Sequence, residues 1–151
     1  MDDATRRIEL ETMLIGRHRD LTVYRTVRDE RHLDRSAYLL LNRIVLEGPM
    51  SIGQLSEAFG LDASTLNRQT SAMMRAGLVE RIPDPDGGIA RKFRITEEGR
   101  RRLEAERDAN LRGLQKVLAG WTPEEISAFA DMLTRFNTDI ERLAGRPWPR
   151  S

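Results

Sequence analysis

Residues 62–77 combine hydroxyl and amide side chains with arginines, and they include no acidic residue after the first position. At 100° per residue along a helix, Thr70 and Met73 fall beside Leu66 and share its side. The opposite side is polar and holds Ser64, Arg68, Ser71 and Arg75. An arginine can fork onto guanine, an asparagine can pair with adenine, and hydroxyls bind phosphates or base edges. These residue types predict hydrogen bonding to a DNA groove, with an ordinary solvated helix face as the alternative.

Two further cations follow in a segment that has the alternation of a β-hairpin. Residues 78–82 and 91–95 alternate with period two and flank a turn rich in Pro, Asp and Gly. The alternation puts Arg91 on the side of Phe93, which favours Lys92 as the outward cation. Cations on a solvated strand are common, so an ordinary surface is the alternative here too. The complete set of predicted DNA contacts is Ser64, Thr65, Asn67, Arg68, Ser71, Arg75, Arg91 and Lys92.

Capping signals place these residues on a compact module over residues 34–95. Asp34 is a candidate N-cap, and Ser51 with Gln54 fits a capping box that opens a short helix. Gly60 ends that helix, and Asp62 then caps the helix that bears the polar side. A helix, a three-residue turn, a helix and a hairpin are the order of a winged helix-turn-helix.

Long helices flank the module on both sides. The sequence predicts an amphipathic helix over residues 4–31 within an N-terminal segment 1–33, and further helices over 96–145. The last helix has apolar residues spaced 3, 4, 3, 4 and 3, an a/d seam that favours packing on a helix of another copy over an internal edge. The seam consists of Ile126, Phe129, Leu133, Phe136, Ile140 and Leu143. The tail, residues 146–151, is predicted to fray, although Trp148 can fold back onto the helix.

Four stretches of the chain together resemble the MarR-type (multiple-antibiotic-resistance regulator) transcription factors over nearly its whole length. The stretches are 55–61, 64–68, 77–81 and 95–100. The resemblance implies a mainly α fold with a small two- or three-stranded β wing, in an obligate homodimer whose first and last helices interlace. Two winged modules would then read a near-palindromic operator. One departure concerns the hairpin tip, where this family usually has an Asp-x-Arg pair for the minor groove and this chain has Gly87 and Ile89.

The function implied by the resemblance is that of a transcriptional regulator, expected to be a repressor that a small-molecule effector releases. Such proteins admit small aromatic effectors between the dimer helices and the DNA-reading module. The candidate lining residues are Met13, His18, Tyr24, Tyr38 and Trp121, with core packing as the alternative for each. The altered hairpin tip motivates an alternative function, a winged-helix adaptor or antirepressor that binds a protein partner and no DNA.

Composition limits the other classes of function. The 151 residues carry 25 basic and 24 acidic side chains, a net charge of +1 that supports neither a polybasic membrane anchor nor an acidic solvating chain. The lack of cysteine excludes disulfides, thiolate zinc sites and thiol redox sensing. With two isolated histidines, the sequence predicts no metal site and no cofactor. A nucleophile, a base and a residue to orient the base do not occur in a recognisable order, so no enzyme is predicted. The longest apolar run, 37–41, is far short of a membrane span, so we expect a cytoplasmic protein.

Overall fold

The structure is a computed structural model that describes residues 2–18 and 32–150. Its elements in chain order are α1 (Asp3–His18), α2 (Arg35–Glu47), α3 (Ile52–Phe59), α4 (Ala63–Arg75), β1 (Val79–Ile82), β2 (Lys92–Ile95), α5 (Glu97–Val117) and α6 (Pro123–Ala144). Six helices and one two-stranded sheet over these residues confirm the predicted mainly α fold with a small β wing. α1 covers the start of the helix predicted over 4–31, and the rest of that helix lies outside the described residues.

Side-chain caps begin the helices of the reading head, residues 34–95, at the predicted positions. The Asp34 carboxylate accepts the backbone N–H of Ala37 at 2.8 Å at the start of α2. Ser51 and Gln54 form the predicted capping box of α3, in which each side chain accepts the other residue's backbone N–H at 3.2 and 2.9 Å. Gly60 ends α3 in the left-handed conformation, with φ of 65°. The cap satisfies helix-end amides, and the glycine allows the sharp turn into α4.

The core lies inside the reading head and at the start of α5. Leu41 of α2, Leu55 of α3 and Leu66 of α4 are fully buried against one another's helices and the sheet. Phe93 of β2 and Leu103 of α5 complete the same cluster. The reading head therefore has its own apolar centre, which holds α4 in a fixed position.

The wing is an antiparallel hairpin of β1 and β2. Val79 pairs with Ile95 at its base, and Ile82 pairs with Lys92 near its tip. Met50, just before α3, adds an isolated bridge to Phe93 through hydrogen bonds of 3.2 and 2.8 Å. This bridge is the rudiment of a third strand, so the sheet agrees with the predicted two- or three-stranded wing.

Gly99 lets α5 approach the wing closely. A Cβ atom at this position would lie 2.2 Å from the carbonyl oxygen of Leu78, a distance that real contacts do not allow. Thr96 caps α5 by accepting the N–H of Gly99 at 3.0 Å, while its hydroxyl donates to the carbonyl of Gly77 at 2.6 Å. α5 is thus fixed to the base of the wing at its first turn.

The outer helices have little contact with the rest of the described chain. No residue of α1 or of α6 is buried. The predicted fraying of the tail is not observed for residues 146–150, because Trp148 packs against Phe59 of the reading head and Arg150 pairs with Glu141 of α6. Among the described residues, no helix is long and apolar enough to cross a membrane.

Candidate nucleic-acid interface

α4 has a buried back and an exposed front. Leu66, Thr70 and Met73 are between 0 and 4% exposed, which confirms the side predicted to face the core. The Thr70 hydroxyl is satisfied by donating to the carbonyl of Leu66 at 2.8 Å, so a polar residue fits in the apolar interior. The opposite side is free to meet a ligand.

The first turn of α4 is held by Asp62. Its carboxylate accepts the N–H of Thr65 at 2.8 Å and the hydroxyl of Ser64 at 2.9 Å. The hydrogen bond from the Thr65 backbone is the main reason that the pKa of Asp62 falls to about 2. Because Ser64 donates its proton to Asp62, its oxygen is left as an acceptor, which suits base amino groups better than phosphate oxygens.

The predicted contacts on α4 differ in exposure. Ser64, Asn67, Arg68 and Arg75 are exposed, while Thr65 and Ser71 are half-buried. Arg68 Nη2 lies 3.4 Å from the Thr65 hydroxyl, a long hydrogen bond that steadies the guanidinium without occupying its other donors. The structure thus brings all six residues to one helix and leaves Arg68 available for bidentate recognition.

The wing corrects the prediction that Lys92 is the outward cation. Lys92 Nζ lies 3.5 Å from Asp84 Oδ1, and the side chains of both residues are only 13% exposed. Asp84 also accepts the backbone N–H of Asp86 at 2.9 Å, a bond that is the main cause of its lowered pKa. Strand alternation alone does not reveal this pairing, because the carboxylate comes from the turn that joins the two strands. Arg91, just before β2, is exposed instead.

A second wing cation is also neutralised. Arg94 Nε donates to Glu80 Oε1 at 2.9 Å across the sheet, where the two residues are directly paired. By contrast, the structure gives Arg68, Arg75 and Arg91 no ion pair within the described chain. Of the cations predicted to contact DNA, these three arginines are therefore the ones without an ion pair in the described chain.

The wing tip is apolar where the family usually has its minor-groove arginine. Ile89 is 104% exposed, and Gly87 has a φ of 84° in the preceding turn. No charged side chain stands between Gly87 and Arg91. The tip therefore offers an aliphatic side chain to a partner surface, with Arg91 as the next available cation.

A cleft of about 350 Å³ lies behind the front of α4, between that helix, the start of α2 and α5. Sequence reasoning missed two of its polar residues, Gln69 of α4 and Arg102 of α5. Arg68 lines it too, so the cleft shares a residue with the predicted DNA contacts. Spacing along the chain could not indicate this cleft, because its walls come from three separate elements.

The residues predicted to line an effector cavity are Met13, His18, Tyr24, Tyr38 and Trp121. Tyr24 lies outside the described residues. Met13 is 53% exposed on α1, His18 ends that helix, and Tyr38 packs against the core. Trp121 contacts Phe129 with ring centroids 5.4 Å apart. Neither the cleft behind α4 nor a cavity of about 280 Å³ between α2, α3 and the tail is lined by any of them.

The seam of α6 is solvent-exposed in the single chain. Ile126 is half-buried, and the exposures of the other members range from 37% for Leu133 to 81% for Leu143. α1 and α5 also expose large apolar residues, namely Ile8, Leu10, Met13, Ile15, Leu111, Leu114 and Val117. Large apolar side chains exposed in this number are typical of interfaces.

Sequence comparisons agree with this architecture. The MarR_2 family model, described as MarR family, matches residues 33–88, which is most of the reading head. The HTH-type transcriptional regulator YxaD of Bacillus subtilis (strain 168) is 37% identical over 106 residues, which are 70% of this chain and 74% of YxaD.

Solved structures share the fold across almost the entire chain. A MarR family protein from Bacillus stearothermophilus has a TM-score of 0.72 at 26% identity, with 93% of this chain and 98% of that protein covered. The PcaV transcriptional regulator from Streptomyces coelicolor, solved in complex with its natural ligand, has a TM-score of 0.63 at 28% identity, with 91% and 95% covered. A family match over the reading head and a relative at 37% identity across most of its length lead to one conclusion: this chain belongs to the MarR family of DNA-binding transcriptional regulators.

Proposed function

We propose that the protein is a homodimeric repressor that binds a near-palindromic operator and leaves it when a small aromatic effector binds. The observation that carries this proposal is the two-sided character of α4. Its back packs into the core, and its front carries the exposed side chains of Asn67 and Arg68. A helix of this kind can enter the major groove without any rearrangement of the module.

Second copies of the chain are the proposed partner for the apolar faces of α1, α5 and α6. The seam spacing of α6 suits a facing helix, and the exposed side chains need cover in water. A twofold dimer presents two copies of α4 to half-sites about 34 to 36 Å apart on one face of the duplex. The palindromic character of the operator follows from that symmetry.

The proposed effector changes either the distance between the two reading heads or their conformational freedom relative to each other. PcaV binds a natural ligand, and its fold covers most of this chain. One candidate location is the set Met13, His18, Tyr24, Tyr38 and Trp121. The cleft behind α4 is the second, because about 350 Å³ holds a small aromatic molecule and because Arg68 lines it. Coupling of about 1 to 3 kcal/mol would change operator occupancy roughly 5- to 150-fold.

The test is selection of duplexes from a random pool, followed by titration with the purified protein at moderate salt. We expect a near-palindromic consensus that is bound about 10³-fold or more tightly than a scrambled duplex of the same composition. Equal binding of both duplexes would refute the proposed operator recognition. Retardation of no duplex at all would favour the protein-interaction alternative instead.

A further inference from the structure

The C-terminal tail, residues 146–150, runs from the end of α6 back onto the reading head. Gly145 ends α6 in the left-handed conformation with φ of 68° and redirects the chain. Pro147 and Pro149 fix two of the five backbone φ angles that follow. The tail is therefore restricted in conformation before it makes any contact.

Trp148 is the main contact of the tail with the reading head. Its ring meets Phe59 edge-on, with centroids 5.7 Å apart and planes at 75°. The Arg43 guanidinium carbon lies 5.0 Å from the centre of the Trp148 ring, a cation–π distance. Arg43 is itself only 8% exposed, and it pairs with Glu47 on α2 at 2.9 Å. The indole thus joins α6 to both α2 and α3.

Glu141 anchors the other end of the tail to α6. Its carboxylate accepts both Arg150 Nη atoms, at 2.8 and 2.7 Å, and the backbone N–H of Trp148 at 3.2 Å. The hydrogen bond from Arg150 is the main cause of the lowered pKa of Glu141. A bidentate arginine pair fixes orientation as well as distance, so the tail is closed into a loop on the helix.

The tail lies against the turn of the helix-turn-helix. Phe59 is the last residue of α3, and Gly60 begins the turn into α4. The Arg146 guanidinium sits so close to Gly60 that a Cβ there would be 2.8 Å from its carbon. No residue of α6 itself is buried in the described chain, and the tail contributes an aromatic contact between this helix and the reading head.

We propose that the C-terminal tail is a positioning strap that sets the angle between the reading head and α6. Trp148 is its positioning residue, and it acts on α4 through Phe59 and the adjoining turn. This inference rests on the proposed dimeric function, because in a dimer built on α6 the strap fixes how far apart the two copies of α4 stand. Small changes in that separation decide whether both copies fit their half-sites.

The first experiment compares Trp148→Ala and Trp148→Phe with the full-length wild type on the selected duplex. We expect Trp148→Ala to lose about 10-fold in affinity, or roughly 1.4 kcal/mol. It should also lose the wild type's preference for the native spacing over duplexes with base pairs inserted between the half-sites. Trp148→Phe keeps an aromatic ring for Arg43 and should retain that preference. A residue needed only for folding would change the thermal midpoint without changing spacing preference.

A second variant keeps the strap testable if Trp148→Ala fails to fold. Glu141→Gln releases the tail on the α6 side without touching the core, and Glu124→Gln is its matched control in the first turn of the same helix. Glu141→Gln should weaken spacing preference in the same direction as Trp148→Ala, and Glu124→Gln should not. Unchanged spacing preference in both Trp148→Ala and Glu141→Gln would overturn the strap while leaving the proposed operator recognition intact.

A readout without DNA separates the two proposals further. Because the chain has no cysteine, Ala76→Cys at the exposed end of α4 gives one spin-label site per copy. The strap predicts a narrow distribution of label-to-label distances in the dimer that broadens in Trp148→Ala. Identical distributions would contradict the strap. If no label-to-label distance between two copies can be detected, the homodimer is contradicted and, with it, the strap.

Discussion

Arg68 stands on the exposed front of α4, and no carboxylate holds it in an ion pair within the described chain. Within the described chain its guanidinium donates a hydrogen bond to the Thr65 hydroxyl, a neutral acceptor at 3.4 Å. A guanidinium in this state loses little on meeting guanine, since no strong internal bond has to break. The side chain is therefore suited to read a base pair as well as to attract phosphate.

Replacing Arg68 by alanine tests that role. We expect Arg68→Ala to weaken binding of the selected duplex by about 1 to 3 kcal/mol and to relax preference at one base pair in each half-site. Titrations against all variants of that base pair measure the effect. Arg75→Ala is the comparison, because Arg75 lies at the end of α4 and is expected to contact phosphate. An equal loss on every sequence for Arg68→Ala would assign it to phosphate as well.

Arg91 and Lys92 differ sharply although they are neighbours. Arg91 is exposed, whereas Lys92 is engaged with Asp84 and largely covered. We predict that Arg91→Ala lowers the slope of log affinity against log salt by about 1, while Lys92→Ala leaves that slope unchanged. Fluorescence anisotropy over a range of salt concentrations measures both. A lower slope for Lys92→Ala would mean that the pair with Asp84 opens on DNA.

At the scale of single residues, the chemistry of the side chains was predictable from the sequence, but their ion pairs were not. The polar front of α4 follows from helical periodicity because the helix is regular. The ion pair between Lys92 and Asp84 depends on how the turn folds back over the strand, and the periodicity of the sequence does not indicate that geometry. The same applies to Arg94, whose partner Glu80 lies on the other strand.

At the scale of elements, the N-cap of α4 sets where its first turn can point. Asp62 accepts the N–H of Thr65 and the hydroxyl of Ser64, and its pKa is lowered from 3.8 to about 2. A carboxylate with a lowered pKa in the folded state adds stability that is present above its ordinary pKa near 4. That stability is lost as the pH falls through about 2.

We therefore expect Asp62→Ala to lower the thermal midpoint by about 2 to 6 °C at pH 6, and by less as the pH falls from 4 towards 2. Asp62→Asn is the control, because an amide still caps the helix but does not titrate in this range. The difference between the Asn and Ala variants should stay constant with pH. Circular dichroism melts at several pH values provide the measurement, and a pH-independent difference between wild type and Asp62→Ala would contradict the assigned cap.

The elements themselves were largely predictable. Asp34, Ser51 with Gln54, and Asp62 all cap helices where the sequence indicates. Caps are local interactions, because donor and acceptor are within three residues of each other, and they can therefore be predicted from the sequence. The docking of Trp148 on Phe59 joins residues far apart in the chain, so the sequence could offer a folded-back Trp148 only as the alternative to a frayed tail and could not indicate its contact with the reading head.

At the scale of the whole molecule, one chain leaves its outer helices uncovered. The core is formed by the reading head, the adjoining Leu33 and the start of α5, while α1 and α6 have no buried residue. Such helices gain stability mainly by packing their apolar faces, and these faces have no cover in the described chain. A dimer supplies that cover and doubles the DNA contacts in one step.

The seam of α6 gives the decisive variant. Phe136 is 43% exposed in the single chain and central in the seam, so Phe136→Asp would bury a charge in the proposed interface. We expect its sedimentation mass to fall from twice 17.3 kDa to that of one chain. Operator affinity should fall by about 100-fold or more, because two linked half-site contacts become independent.

Thr138→Asp is the matched control, since it adds the same charge on the opposite, exposed side of α6. It should remain dimeric and bind the operator with nearly unchanged affinity. Because the core of the reading head includes no residue of α6, both variants should keep the helical content of the wild type. If Phe136→Asp sediments as a dimer, the interface lies elsewhere, and the exposed faces of α1 and α5 become the next surfaces to substitute.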